Sequence, residues 1–202
     1  MPSDEVPIAP ALLNGVPGQA APPTSVRDGL LGLAALRHTQ SNSVVVLRDG
    51  AAVGIGAGQQ NRVDCVKLAV AKAMTWWLRR HPIVRAVPRA AGMSRQDHLN
   101  WQIRVAEGDM APGQMAEFTR LFPGTAATIG SAERVAWTGQ LDNLTLISDG
   151  FLPFRDNIDH ASRIGVRCII EPGGSSRSPD IAAACAEHNI TLIRTGLRLF
   201  HH

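Results

Sequence analysis

Hydrophobic and polar positions alternate most clearly in residues 39–62, and the rest of the chain is organised around this segment. The β-branched run 44–47 predicts a strand, residues 48–50 predict a turn, and the apolar alternation at 53–55 predicts a second strand. A helix is expected to open at Arg62. The segment therefore predicts a β-hairpin, a glycine-rich turn and a helix.

Glycine occupies alternate positions at the end of this hairpin, at Gly54, Gly56 and Gly58. Such glycines let a backbone approach a ligand just before a helix N-terminus. They also occur where a strand bulges or packs closely against another element. The spacing alone favours the packing interpretation and leaves ligand contact open.

Beyond the hairpin, the apolar spacing predicts helices first and then alternating strands and helices. Helices are expected at 25–37, 62–80, 94–106, 112–121 and 131–139, followed by strand 144–148, helix 156–164, strand 166–170, helix 179–188 and strand 191–194. This βαβαβ alternation implies parallel strands covered by helices. In the longest helix, Trp76 and Trp77 are interpreted as packing residues, with stacking on a pterin as the alternative.

The distribution of proline divides the chain into two parts. Six of the thirteen prolines lie in residues 1–24, which show little periodicity and are expected to form a flexible arm. Residues 25–202 are expected to form a single domain, and 45% hydrophobic residues suffice for its core.

Composition narrows the function classes. The formal net charge is +3, and nearly all of the positive charge is arginine, since only Lys67 and Lys72 are lysines. Arginine suits binding of phosphate and carboxylate, although a GC-rich genome produces the same bias, and both interpretations stay open. No basic stripe is interleaved with aromatic residues, so nucleic-acid binding is not expected. No apolar run is long enough to cross a bilayer.

The three cysteines, Cys65, Cys168 and Cys185, lie in apolar segments without metal-binding spacing. They are expected to be reduced core residues. Together with the lack of an apparent secretory signal, they favour a cytoplasmic protein.

Four collinear motifs carry a resemblance to a known family. They are Thr-Gln-Ser-Asn-Ser-Val with Gly-Ile-Gly-Ala-Gly-Gln-Gln-Asn-Arg in 39–62, Trp-Trp-Leu-Arg with His-Pro in 76–82, Phe-Leu-Pro-Phe-Arg-Asp-Asn in 151–157, and Leu-Arg-Leu-Phe-His-His in 197–202. Over about residues 25–202 the chain resembles the C-terminal half of the transformylase domain of the bifunctional AICAR transformylase/IMP cyclohydrolase family. The resemblance implies an α/β fold, a three-layer cytidine-deaminase-like domain with a mainly parallel sheet.

The deaminase chemistry does not follow from that fold. Zinc deaminases need a His-x-Glu or Cys-x-Glu element together with Pro-Cys-x-x-Cys. Residues 185–187 match the first element formally, and the second is absent from the sequence. A metal-free site is therefore expected.

The resemblance implies a formyltransferase that moves a formyl group from 10-formyltetrahydrofolate to an amine, either an AICAR-like nucleotide or a smaller amine. It implies nucleotide-site residues Asn42, Arg62, Phe151 and Arg198, with both arginines near phosphate or other anionic groups. It implies folate-site residues Val63, Pro153, Phe154, Asp156, Asn157 and Ser175. It places His202 close to the reacting centre.

The sequence departs from the family in lacking its Lys-His pair, which acts in proton transfer. His38 stands four residues before Asn42 and is a candidate replacement base. We expect a homodimer with a shared site, as in the family. The alternative is a non-catalytic folate- or nucleotide-binding protein, or a half-site subunit that completes a split transformylase.

Overall fold

The computed structural model describes residues 6–14 and 22–200, which divide into two compact units. Unit 1 holds the described residues through Ala73 and from Asp142 onward, and unit 2 is Met74–Leu141. The contacts separate a unit built on a β-sheet from a unit built only of helices. That residues 25–202 form a single domain stays a prediction.

Unit 1 contains a five-stranded sheet in the order β2-β1-β3-β4-β5. The strands are β1 Val44–Arg48, β2 Ala51–Gly56, β3 Leu144–Ser148, β4 Val166–Glu171 and β5 Thr191–Arg194. Strand β1 is antiparallel to β2 and β3, while β3, β4 and β5 are mutually parallel. Four strands therefore run in one direction and β1 opposes them, so the predicted α/β class, the hairpin and the mainly parallel sheet are confirmed. The cytidine-deaminase-like assignment stays a prediction.

Eight α-helices lie in the described part of the chain. They are α1 Pro23–Arg37, α2 Arg62–Leu78, α3 Pro82–Arg85, α4 Arg95–Glu107, α5 Pro112–Leu121, α6 Ser131–Thr138, α7 Asp156–Ser162 and α8 Ser178–Glu187. In the described residues no helix combines the length and apolar character that spanning a membrane requires. The spacing of apolar residues predicted all of these helices except the shortest, α3. That helix has too few residues to show a helical period.

Both faces of the sheet are buried. On the face toward α1, Val45 and Ile147 pair across β1 and β3, and both are 0% exposed. A Cβ atom built on Gly32 of α1 would lie 2.7 Å from Cδ1 of Ile147, so this helix approaches the sheet closely. Their neighbours Val46 and Leu146 point to the opposite face, because side chains alternate along a strand, and they are equally buried. Strands with two buried faces are typical of sheets covered on both sides.

Part of the expected N-terminal arm is packed on this core. Residues 10–13 form a short 3₁₀ helix, and Leu13 is 3% exposed within the core of unit 1. The guanidinium of Arg37 donates a hydrogen bond to the carbonyl of Val6 at 2.5 Å. This part of the segment is docked, and residues 1–5 and 15–21 lie outside the described residues.

Glycine spacing on β2 is explained by the packing of α2. A Cβ atom on Gly54 would lie 2.1 Å from the carbonyl oxygen of Ala69, and one on Gly56 would lie 2.2 Å from that of Cys65. Only glycine lets the strand and helix backbones approach this closely. The packing interpretation is therefore confirmed for Gly54 and Gly56.

Unit 2 has its own aromatic core. Trp101, Phe118 and Phe122 are buried with ring centroids 5.0–6.0 Å apart. Trp77 stacks on Trp137 at 5.6 Å, and its indole nitrogen donates to the carbonyl of Trp137 at 2.9 Å. Trp77 is thus a packing residue, in agreement with the interpretation from its spacing.

Candidate functional site

A pocket of about 330 Å³ opens in unit 1 where the four co-directional strands end. Its lining residues are Asn42, Gln60, Asn61, Arg62, Phe151, Pro153 and Phe200. Four of them, Asn42, Arg62, Phe151 and Pro153, are residues that the resemblance placed in the site. They arrive from separate segments: one precedes β1, one begins α2 after β2, and two follow β3. Pockets in sheets of this kind commonly form outside the carboxyl ends of the strands.

Arg62 forms a buried ion pair with Asp149, which follows β3. The side chain of Arg62 is 6% exposed and that of Asp149 is 0% exposed. Nη1 of Arg62 donates to Oδ1 of Asp149, while Oδ2 accepts from the Ser41 hydroxyl at 2.5 Å and from the Ser43 amide at 3.1 Å. The charge of Arg62, which the resemblance placed near an anionic ligand, is therefore balanced inside the protein.

Both polar atoms of the Asn42 side-chain amide form hydrogen bonds. Its Oδ1 accepts from Nη2 of Arg62 at 2.9 Å, and its Nδ2 donates to the carbonyl of Gln59 at 2.8 Å. The Ser41–Asn42 peptide bond is cis. Because the oxygen faces Arg62, the nitrogen is fixed as a hydrogen-bond donor.

The loop 151–157 presents only part of its predicted residues to the pocket. Phe151 and Pro153 line it, whereas Phe154 is 48% exposed and Asp156 is exposed at the start of α7. Asn157 is fully buried and donates from Nδ2 to the carbonyl of Phe154 at 2.7 Å. Its Oδ1 is also buried, without a hydrogen-bond partner among the described residues. Asn157 therefore braces the loop from inside.

The other predicted ligand-binding residues do not line the pocket. Arg198 is exposed, with its guanidinium carbon 5.7 Å from the ring centroid of Phe151. The Ser175 hydroxyl accepts from the amide of Arg177 at 3.1 Å in the turn before α8. Val63 is half-buried in the first turn of α2. Of these residues, Arg198 has the best access to a ligand stacked on Phe151.

The two candidate histidines have different placements. His38 is the exposed C-terminal cap of α1 and is not among the pocket-lining residues. His202 lies outside the described residues, and Phe200, two positions earlier in the chain, lines the pocket. The described lining consists of amides, aromatic rings, a proline and one arginine, so it offers no side chain that titrates near neutral pH.

Two buried carboxylates at the ends of strands were missed by sequence reasoning. Besides Asp149, the structure buries Glu171 at the end of β4, where Oε2 accepts from the Leu152 amide at 3.1 Å. Burial raises the pKa of Glu171 above its ordinary value, despite the opposing amides of Leu152 and Gly173 and the guanidinium of Arg194. The available signal was positional, since each carboxylate lies at the end of a buried strand: Asp149 directly follows β3 and Glu171 is the last residue of β4.

Burial also raises the pKa of each thiol in unit 1, to about 11 for Cys65 and about 12 for Cys168 and Cys185. All three are free and buried, as expected. In residues 6–14 and 22–200, no group of three or more His, Cys, Asp or Glu side chains is arranged to hold a metal ion.

These features define an α/β protein with a pocket at the carboxyl ends of its strands. Comparison with known proteins adds a similarity: the model of the AICARFT/IMPCHase bienzyme family matches residues 2–72. The match starts before residue 25, where the motifs placed the start of the resemblance. The predicted arm therefore lies largely within the matched region.

Curated relatives extend the similarity over most of the chain. The bifunctional purine biosynthesis protein PurH of Elusimicrobium minutum is 32% identical over 184 residues, which is 89% of this chain and 24% of that protein. PurH of Magnetococcus marinus is 29% identical over 190 residues, or 94% of this chain and 26% of that protein. The chain is thus a relative of the PurH bienzymes, as the four motifs indicated, and spans about a quarter of their length.

Proposed function

We propose that this chain binds a reduced folate and an amine, and that it transfers a formyl group from 10-formyltetrahydrofolate to the amine. The observation that supports this proposal is the pocket itself. Residues from the 39–62, 151–157 and 197–202 motifs meet around one space of about 330 Å³. This volume falls within the range of about 300–1,000 Å³ that is usual for small-molecule sites.

Phe151, Pro153 and Phe200 give the pocket apolar walls suited to a flat ring. The internal neutralisation of Arg62 by Asp149 leaves the pocket without an uncompensated charge among its described lining residues. A phosphate on the acceptor would then be bound by Arg198 beside Phe151. The proposed acceptors include amines smaller than AICAR.

In the proposed reaction the amine nitrogen attacks the formyl carbon to form a tetrahedral oxyanion. The bond from that carbon to the folate nitrogen then breaks, the folate nitrogen takes a proton, and the new amide nitrogen loses one. Asn42 is suited to orientation or oxyanion stabilisation, because Nδ2 donates one N–H to the Gln59 carbonyl and carries a second N–H for a ligand oxygen. We assign the proton-transfer role first to His202, since Phe200 is at the pocket, and second to His38.

The finer parts of the proposal follow the family resemblance: a cytidine-deaminase-like fold, a cytoplasmic location, no metal requirement and a homodimer with a shared site. Phe154 and Phe200 remain 48% and 42% exposed in the single chain, which is consistent with a covered surface next to the pocket. Light scattering at micromolar concentration tests the dimer. A monodisperse monomer contradicts the shared site.

Folate binding is tested by calorimetry with a matched pair of variants. Asp156 and Asp180 are exposed acids in the first turns of α7 and α8. We expect Asp156→Ala to weaken folate binding by about 1–3 kcal/mol, the usual cost of an unpaired polar group. Asp180→Ala should bind as the wild type does. Equal affinities for all three proteins would remove Asp156 from the folate site.

Turnover is tested by mass spectrometry of amines incubated with the protein and 10-formyltetrahydrofolate. His202→Ala, or His38→Ala if the second assignment holds, should lower kcat by about 10²–10⁴-fold and leave folate affinity nearly intact. Asn42→Ala should also impair turnover. Wild-type rates in both histidine variants would refute the assigned base.

The second candidate function is a non-catalytic folate- or nucleotide-binding protein, or a half-site subunit. It is favoured by the lack of a titratable base among the described pocket-lining residues and by the missing Lys-His pair. Folate binding without formylation of any tested amine would support this candidate over the transferase.

A further inference from the structure

A second pocket, in unit 2, is lined by three arginines. It has a volume of about 390 Å³ and is lined by Trp76, Arg79, Arg80, Arg85 and Gln102. No carboxylate is among these described lining residues. The neutral pocket of unit 1 and this basic pocket therefore suit different ligands.

Unit 2 also carries the net charge of the chain. Residues 74–141 contain eight arginines against five aspartates and glutamates, whereas the remaining residues are balanced. Between Asp64 and Asp97 the sequence holds no acidic residue at all. The three pocket arginines lie within this stretch. The residues that line the pocket carry three positive charges and no negative charge, which favours anions there.

The guanidinium group of Arg80 is held in place by contacts with Trp76. Arg80 donates from Nη1 to the carbonyl of Trp76 at 2.5 Å, and its guanidinium carbon lies 3.5 Å from the Trp76 ring centroid. The indole thus orients an arginine, and that face of the ring is covered. Holding a guanidinium in advance lowers the entropy that a ligand contact would otherwise lose.

Arg79 and Arg85 differ from the paired Arg62 of the first pocket. Among the described residues, neither Arg79 nor Arg85 forms an ion pair. Nε of Arg79 is buried without a hydrogen-bond partner in the described part of the chain. Buried polar groups are normally paired, and an oxygen atom of a bound anion would supply a partner for this nitrogen.

We propose that this arginine pocket binds a ligand with two or more adjacent oxyanion groups, such as a diphosphate. A single phosphate or carboxylate group needs only one or two guanidinium groups, each of which binds it through two parallel hydrogen bonds. Three guanidinium groups therefore match a ligand with more than one oxyanion group. The Gln102 amide supplies a further polar contact. A diphosphate and a run of carboxylates share this chemistry, and the test separates them.

The test is calorimetric titration with pyrophosphate and, separately, with citrate, both at constant ionic strength. Arg85→Gln is the main variant, because Arg85 is exposed at the end of α3 and its loss should not affect folding. Arg79→Gln is the second variant. Arg120→Gln is the matched control, an exposed arginine of α5 outside the pocket.

We expect pyrophosphate affinity to fall about tenfold or more in Arg85→Gln and Arg79→Gln, and to stay within about twofold in Arg120→Gln. Binding of citrate alone, with the same variant pattern, keeps the oxyanion site and identifies carboxylates as its ligand. Failure of both anions to bind the wild type overturns the proposal. An equal loss in Arg120→Gln also overturns it, since general charge would then explain the binding.

Discussion

The ion pair between Arg62 and Asp149 is the feature whose removal should affect unit 1 most. We consider the substitution Asp149→Asn, which keeps the shape of the side chain and removes its charge. Asp149 is 0% exposed and accepts hydrogen bonds from Arg62, Ser41 and Ser43. The asparagine retains one oxygen for these donors, and Arg62 becomes a buried cation without a counter-ion.

The expected loss is about 3–5 kcal/mol of unfolding free energy, the usual effect of removing one partner from a buried ion pair. Most of this loss reflects the unpaired cation, not the lost attraction. The double variant Arg62→Leu with Asp149→Asn should therefore be less destabilised than the sum of the two single variants. A double-mutant cycle measures this difference as a coupling energy.

The assay uses cysteine and tryptophan side chains that lie in different units. The three buried cysteines, Cys65, Cys168 and Cys185, are all in unit 1, whereas the four tryptophans are all in unit 2. Unfolding of unit 1 in urea is followed by the reaction of its thiols with an aromatic disulfide. Tryptophan fluorescence then reports unit 2 in the same sample.

The matched control is Asp142→Asn, which breaks the exposed pair of Asp142 and Arg167 in the same unit. These side chains are 45% and 48% exposed, so the expected change is at most about 1 kcal/mol. If Asp149→Asn and Asp142→Asn shift the thiol-detected transition equally, the buried pair does not stabilise unit 1 and the reasoning is wrong.

Three further predictions concern unit 1 and unit 2 separately. The pKa of Glu171 in the folded protein is raised, so its protonated form stabilises the fold at acidic pH. This stability is lost as the pH rises from the ordinary pKa of glutamate through the pKa of Glu171 in the folded protein. The melting temperature of Glu171→Gln relative to wild type should therefore increase with pH across this window, and a constant difference would contradict burial of the charge. Gly56→Ala should lower the unfolding free energy by about 1–3 kcal/mol, since its Cβ would lie 2.2 Å from a backbone carbonyl oxygen of α2. Gly113→Ala in α5 is its control, because a Cβ there meets nothing within 4 Å, and urea denaturation should show a gain of about 0.5–1 kcal/mol. Finally, Cys168 has a pKa of about 12, so about one part in 10⁴ of its thiol should be thiolate at pH 8. Cys168 should therefore react with thiol reagents only after unfolding. Rapid labelling of the folded protein in buffer would refute its burial.

The elements of this fold follow from local periodicity. Helix α5 and strand β3 have the predicted bounds, 112–121 and 144–148, because each is a regular apolar pattern between turn residues. Helix α3 was missed since four residues are too few for a period to show. The division into two units leaves no mark in the sequence pattern, because α2 continues from one unit into the other without any break.

The sequence predicted pocket residues only where a family motif supplied them. Asn42, Arg62, Phe151 and Pro153 come together as the resemblance implied. The role of Arg62 was not predictable, because its counter-ion Asp149 lies 87 positions away in the sequence. The inward orientation of Asn157 likewise depends on the turn of its loop, which residue type does not reveal.

The position of β2 at the edge of the sheet bears on how the protein avoids aggregation. An edge strand exposes backbone groups that can pair with a strand of another molecule. Here the Lys72 ammonium donates to the carbonyl of Ile55 at 2.8 Å, so one of the only two lysines in the chain covers an acceptor of this edge. A hydrated cation at this point makes the edge a poor template for intermolecular pairing. Replacement of Lys72 by an apolar residue would therefore favour strand-to-strand association at high protein concentration, even if the folded monomer lost little stability.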